Sequence, residues 1–169
     1  MDDYLKKYIS LVKEKNVLNA LAESHLEALK LIESILPNQE NHSYSEGKWT
    51  IKEVLIHCMD TERIFCTRAL SFARGETQPS QSFDENKYAI NSEANLRLLS
   101  DIKEEWVHLR TSTISLFKNF SSNSLFSKGI MPAGELTVND IGIAICGHSL
   151  HHLFIIKERY LKKSFLNEK

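Results

Sequence analysis

From Leu99 to Phe120 the apolar side chains recur in alternating steps of three and four: Leu99, Ile102, Trp106, Leu109, Thr113, Leu116 and Phe120. That period belongs to one face of an α-helix and to no other regular structure. Such a face must be covered, and three further segments are able to cover it. Asn16–Leu36 carries the same rhythm through Leu18, Leu21, His25, Ala28, Ile32 and Ile35, and Pro37 ends it. Thr50–Arg74 opens on Thr50-Ile51-Lys52-Glu53. This reads as a capping box, in which the Thr hydroxyl takes one orphan N–H and the Glu reaches back for another. Trp49 and Val54 flank that start as a hydrophobic staple, and Gly75 stops the helix. Thr137–Leu161 opens on Thr137-Val138-Asn139-Asp140, an acidic variant of the same box. A short amphipathic piece around Tyr4–Val12 precedes the first helix, and the Leu99–Phe120 helix is expected to begin near Ser92. The pattern predicts an all-α four-helix bundle. The six Gly and three Pro fall mostly between these segments. Glu76–Asn91 and Ser121–Leu136 read as long loops, and no strand is expected.

At 169 residues the chain suits a single domain, expected to span 1–169. Apolar residues at 42% and charged residues at 25% exclude wholesale disorder, collagen and coiled-coil rods. A net charge of −1 leaves no basic footprint, so no nucleic-acid partner is expected. Cys58, Cys66 and Cys146 are odd in number and scattered, which fits a reducing cytoplasm better than a disulfide scaffold. No run approaches the ~20 apolar residues of a membrane span. The N-terminal stretch MDDYLKKYISLVKEK is charged throughout and lacks a signal-peptide core. A cytoplasmic protein with no membrane partner is expected.

The placement of the seven histidines carries the chemistry. His148 and His152 are four apart, on one helical face with Ile141, Ala144, Ile145 and Ile155. A buried imidazole needs a hydrogen-bond partner or a metal. A pair at this spacing is a natural two-ligand clip, although the zincin glutamate beside the first His is missing. His57 sits mid-helix among Val54, Thr61 and Ile64. Two helices each presenting inward histidines build a three-nitrogen site, the donor count of a catalytic metal. The plain alternative is three core histidines satisfied by hydroxyls or carbonyls. Asp60, one turn beyond His57, is a candidate acceptor for a ring N–H or a base near bound water. Its alternative is an ion pair with Arg63 or Arg68. His25 and His151 are the candidate fourth ligands, His25 as a member of the first helix's stripe and His151 at a helix seam or the surface. His42 falls in a loop and His108 on an exposed face.

Other constellations fail on spacing. A ferritin-like di-iron site needs two Glu-x-x-His motifs, and only Glu105-Trp106-Val107-His108 is present, facing away from the seam. There are no close Cys pairs for a thiolate zinc site, no Ser or Cys hydrolase motif and no phosphate-binding glycine loop.

Lys48-Trp49-Thr50-Ile51-Lys52-Glu53-Val54-Leu55-Ile56-His57, followed by Asp60-Thr61-Glu62-Arg63, resembles the second-helix signature of the DinB superfamily of DinB/YfiT-like metalloenzymes. Gly147-His148-Ser149-Leu150-His151-His152-Leu153, followed by Lys157-Glu158-Arg159-Tyr160, resembles its fourth-helix signature. The resemblance covers nearly the whole chain and implies a four-helix bundle of the DinB/YfiT-like type, commonly a homodimer. It implies a divalent metal, zinc or nickel, held by His57, His148 and His152. The best understood members transfer low-molecular-weight thiols such as bacillithiol or mycothiol to small electrophiles. That implies a small-molecule substrate, with the metal holding the thiol as thiolate. Two classes of function follow. One is a metal-dependent transferase or hydrolase; the other is a non-catalytic, metal-stabilised stress or interaction module. Three protein ligands beside open positions favour the first, and four closed ligands the second.

Overall fold

The computed structural model describes residues 3–162. The apolar stripes become four long helices: α2 (Val17–Glu33), α3 (Ile51–Ala73), α5 (Leu99–Lys118) and α7 (Val138–Ile155). A short α1 (Asp3–Leu11) packs on α7, as does α2, and α3 packs on both α5 and α7. Both capping boxes form: Thr50 and Glu53 exchange bonds at the start of α3, Thr137 and Asp140 at the start of α7. Asn16 caps α2 by accepting from the N–H groups of Leu18 and Asn19. Gly75, at φ 88°, follows Arg74, the cap residue of α3, in the left-handed region that ends a helix.

The connections hold more structure than their sequences suggest. Glu76–Asn91 ends in a helix, α4 (Glu85–Asn91), capped by Asp84. The expected helix start near Ser92 is displaced to Leu99. Glu93 takes a left-handed φ of 52°, and a 3₁₀ turn (Ala94–Leu96) intervenes. Ser121–Leu136 contains α6 (Ser122–Phe126) and an antiparallel hairpin of β1 (Lys128–Met131) and β2 (Gly134–Thr137). The expectation of no strand is corrected here. Four-residue strands are too short to display a period of two. They are held by pairing Gly129 with Leu136 and by burying Met131 and Leu136. Beyond Ile155 the last helix continues as a π-helical turn (Ile156–Leu161), with Ile156 and Tyr160 buried.

Two stripes keep most of the expected positions, Leu21, Ala28, Ile32 and Ile35 in one and Ile102, Trp106, Thr113 and Phe120 in the other, but differ at single places. On α2 the buried set is Val17, Ala20, Leu21, Ser24, Ala28 and Ile32, with Leu18 and His25 only half-buried. On α5 it is Ile102, Trp106, Arg110, Thr113 and Phe117, with Leu109 and Leu116 at the edge. Burial of Arg110 in place of Leu109 has a clear cause. Its Nε and Nη2 donate to both Glu62 oxygens at 2.9 and 2.8 Å. Nη1 donates to the Leu21 carbonyl at 3.0 Å and the Ser24 hydroxyl at 2.7 Å, and Nη2 also reaches Ser149 Oγ at 3.4 Å. Thr113 donates to Glu62 at 2.7 Å. This polar layer separates two apolar clusters. One lies around Leu21, Phe65, Phe117 and Cys146; the other lies around Ala28, Met59, Trp106 and Leu153.

α7 is buried almost all round from Ile141 to Ser149, as a central helix must be. At Gly147 a Cβ would stand 1.9 Å from the Tyr8 carbonyl oxygen, so only glycine lets α1 lie this close. Gly147→Ala gains helix propensity but displaces α1. We expect a net loss of about 1–3 kcal/mol in urea unfolding. Glu62→Ala strands a buried guanidinium and is expected to lose about 3–5 kcal/mol, whereas replacing Glu62 and Arg110 together by apolar residues recovers much of it. Additive losses in that double variant would show that the pair is not a unit.

Candidate metal centre

His57 leaves the middle of α3 and meets His148 and His152 of α7. The Nε2 atoms of His57 and His148 are 3.1 Å apart. Ring centroids stand 4.9 Å apart for His57 and His148, 4.9 Å for His57 and His152, and 4.6 Å for His148 and His152. One nitrogen from each ring lies within 4.8 Å of the others. His57 and His148 are buried and His152 is half-buried.

Nearby aromatics hold these rings. The Trp49 indole lies 4.8 Å from the His57 ring. Tyr160 Oη donates to the Trp49 carbonyl at 2.8 Å, so the π-helical turn at the end of α7 fixes the approach to α3. Tyr8 of α1 meets His148 edge-on at 5.3 Å. These contacts were not legible in the sequence, where Trp49 reads only as a staple and Tyr8 as a member of a minor helix.

Burial pushes the His57 imidazole down to about 4, because a charged ring there is poorly solvated. Burial and the neighbouring His57 and His151 bring His152 down to about 3. His148 is driven well below the usual histidine range by burial and by His152, His57 and His151. All three are therefore neutral at pH 7, as nitrogen ligands must be. The donor set fits a divalent ion. Two nitrogens bound to one tetrahedral zinc stand about 3.3 Å apart, close to the separation seen for His57 and His148. Among the described residues His57 Nδ1 is buried without an acceptor, and Thr61 Oγ1, one turn further along α3, is buried without a partner.

The other sequence candidates are not brought to the cluster. Asp60 pairs with Arg63 at 3.6 Å and lines a separate cavity with Phe83, Lys87 and Tyr88. Burial raises its carboxyl above the ordinary range against the pull of Arg63. It does not accept from His57 Nδ1, which has no partner. Asp60 thus stands in the ion pair with Arg63 that was its alternative reading. His151 turns toward Tyr8 at 5.3 Å and stays outside the ligand group. His25 is half-buried and also outside it. Among the described residues the group therefore has three members and no fourth. Glu105 is occupied by Arg63 and Arg97, and His108 is exposed. Burial raises all three cysteine thiols, Cys66 and Cys146 to about 11, so none is a ready thiolate nucleophile.

Comparison with known proteins places this arrangement in a family. A profile of the DinB superfamily matches residues 20–156. The chain belongs to the DinB superfamily. A curated relative from Oceanobacillus iheyensis, named "Putative metal-dependent hydrolase", is 26% identical over 128 residues, covering 75% of this chain and 73% of its own. Among solved structures, YfiT from Bacillus subtilis superposes with a TM-score of 0.77 at 18% identity, over 90% of this chain and 89% of that one. It is described as "a probable metal-dependent hydrolase with an unusual four-helix bundle topology". A mycothiol-dependent maleylpyruvate isomerase superposes with a TM-score of 0.68 at 10% identity. It covers 82% of this chain, which spans 58% of the isomerase. The two superpositions establish the shared bundle fold. No helix among the described residues is long and apolar enough to cross a membrane.

The depressed histidines give the metal-free protein a pH dependence of definite sign. Unfolded histidines titrate near ~6.5, and the folded rings only several pH units lower. The unfolded chain therefore binds more protons between those values. The stability contributed by the neutral rings is full above ~6.5 and is lost as pH falls toward their folded values. Urea unfolding with chelator present is expected to show a lower midpoint at pH 5 than at pH 7. The slope is up to about 1.4 kcal/mol per pH unit for each ring. An unchanged midpoint would mean that the rings are not held neutral by the fold.

Proposed function

We propose that this chain is a divalent-metal-dependent enzyme whose ion, zinc or nickel, is held by His57, His148 and His152. We further propose that it transfers a low-molecular-weight thiol to a small electrophile. The observation that carries the reading is the convergence of three neutral imidazoles without a fourth protein ligand among the described residues. Structural zinc sites close all four positions with protein; catalytic sites keep one for water or substrate. An ion bound by three neutral nitrogens keeps its positive charge, lowers the pKa of bound water and holds a thiol deprotonated. The remaining work falls to the chain. His57, His148 and His152 supply lone pairs and stay unprotonated at neutral pH because they are buried. Trp49 and Tyr8 pack on two of the rings, fix their orientation and shield them from water. Half-buried His152 marks the side from which a ligand approaches. The chain's own cysteines are poorly placed to act as the nucleophile, so the sulfur comes from a cosubstrate.

The name of the Oceanobacillus iheyensis relative favours a second reading, hydrolysis of a small ester or amide at the same centre. The two differ only in the nucleophile. A homodimer, which the resemblance to the superfamily implies, in the cytoplasm completes the proposal.

The test is metal analysis of the purified protein and of His148→Ala, followed by assays of the loaded enzyme. Bacillithiol or mycothiol is offered with small electrophiles, and simple esters and amides are offered without thiol. His148→Ala is expected to lose metal uptake while keeping its helical circular dichroism, because the rest of the α7 seam, with Ile141, Ile145 and Leu153, stays aliphatic and buried. Thiol-dependent turnover supports the transferase, and thiol-independent turnover the hydrolase. Native metal stoichiometry in His148→Ala overturns the site and both readings.

A further inference from the structure

Arg68, on α3, is only 7% exposed, yet no carboxylate among the described residues forms an ion pair with it. Its Nη2 donates to the Gln81 carbonyl at 2.5 Å, and its guanidinium carbon stands 5.5 Å from the Phe65 ring centre. The other guanidinium N–H groups have no protein acceptor among the described residues. They are not sealed in the core, since no Arg68 nitrogen is a fully buried unpartnered atom. Arg68 lines a cleft of about 390 Å³ between α3 and the segment 76–81. Arg110, the other deeply buried arginine, shows the contrast, because its donors are used by Glu62, Leu21, Ser24 and Ser149.

Keeping a guanidinium at the base of a cleft without a counter-charge is unfavourable unless something brings the negative charge. Burial alone, with no acid to offset it, lowers the Arg68 pKa. The cleft supplies the rest of an anion site. Ser71, one turn along from Arg68, and Gln78 line it, and neither side chain has a hydrogen-bond partner among the described residues. Glu76 also lines it, and one of its carboxylate oxygens, Oε1, accepts from the Thr77 and Gln78 N–H groups at 2.8 Å each, which ties that side chain to its own loop. Phe72 and Pro79 give the cleft apolar walls.

We propose that this cleft binds the carboxylate or phosphate group of a small molecule, with Arg68 as the charged anchor and Ser71 and Gln78 as neutral donors. A planar guanidinium suits both anions through paired N–H bonds. Phe72 and Pro79 would cover the carbon skeleton that carries the anion. The site is separate from the histidine cluster, about three turns and roughly 16 Å further along α3, and does not rest on the metal reading.

The experiment follows thermal unfolding and the Arg Nε–H NMR signals of the full chain in titrations with inorganic phosphate and with benzoate. Sodium chloride at matched ionic strength is the control. A saturable rise in Tm with phosphate, benzoate or both, and movement of one Arg Nε–H signal, is expected in the wild type. Arg68→Gln should lose this response, Arg68→Lys keep part of it, and Ser71→Ala with Gln78→Leu weaken the apparent Kd by roughly tenfold. His148→Ala should respond like the wild type, which separates this cleft from the histidines. The stronger of the two probes identifies the group the site prefers. A response no larger than that to chloride, or one that survives intact in Arg68→Gln, overturns the proposal. If Arg68→Gln does not fold, an undiminished response in the Ser71→Ala, Gln78→Leu variant overturns it instead.

Discussion

The bundle is organised around one buried ion pair. Arg110 and Glu62 are out of water, and such a pair contributes little net stability against its apolar equivalent. Its effect is on register. The guanidinium reaches α3 through Glu62, α2 through Leu21 and Ser24, and α7 through Ser149. Any slip of one helix by a turn would strand charge in the core, an error far larger than a misplaced leucine would cause. The four long helices are thereby locked at one level along their axes.

That level is also where the histidines lie. Ser149, which receives Arg110, directly follows His148, and Glu62 lies little more than a turn beyond His57 on α3. The layer that fixes α3 against α7 therefore fixes the two sides of the histidine cluster. Three imidazoles must meet within a few tenths of an ångström to share an ion, and each side chain still has two rotatable bonds between backbone and ring. Rigid backbones close by make that convergence affordable, and Trp49 and Tyr8 then remove the remaining ring freedom.

The sequence made the helices legible because α-helical burial leaves a long periodic trace, and both capping boxes could be read residue by residue. His57, His148 and His152 were legible for the same reason: polar rings at helical spacing among Val54, Ile64, Ile141 and Ile145 are anomalies that periodicity exposes. Arg110 was not, because an arginine is assigned to solvent and the stripe was drawn through Leu109 instead. The phase of Ile102, Trp106, Thr113 and Phe117 marks position 110 as interior, but only a partner as distant in sequence as Glu62 makes that acceptable. The hairpin escaped for a different reason, since two strands of four residues carry too few alternations to register. Asp60 stood out because one turn from His57 is within reach of a ring; in the structure its carboxylate stands 3.6 Å from Arg63, whose closer partner is Glu105.

Buried polarity in this protein comes in two kinds, and the distinction separates architecture from chemistry. Around Arg110 and Glu62 the acceptors face donors, so the group is closed and has nothing left to offer a ligand. Around His57 the accounts do not close: among the described residues Nδ1 has no acceptor and Thr61 Oγ1 has no partner, and the only ring nitrogen contact is with His148 Nε2 at 3.1 Å. A chain selected only for stability would replace such groups by aliphatic ones, since burying an unpaired polar atom costs about 1–3 kcal/mol. Their retention beside a fully satisfied network is intelligible when a species outside the chain completes them. Composition and burial do not make that distinction, because both kinds are equally polar and equally buried. The hydrogen-bond inventory does: it closes around Arg110, in the frame of the bundle, and stays open at His57, where we propose that the metal is held.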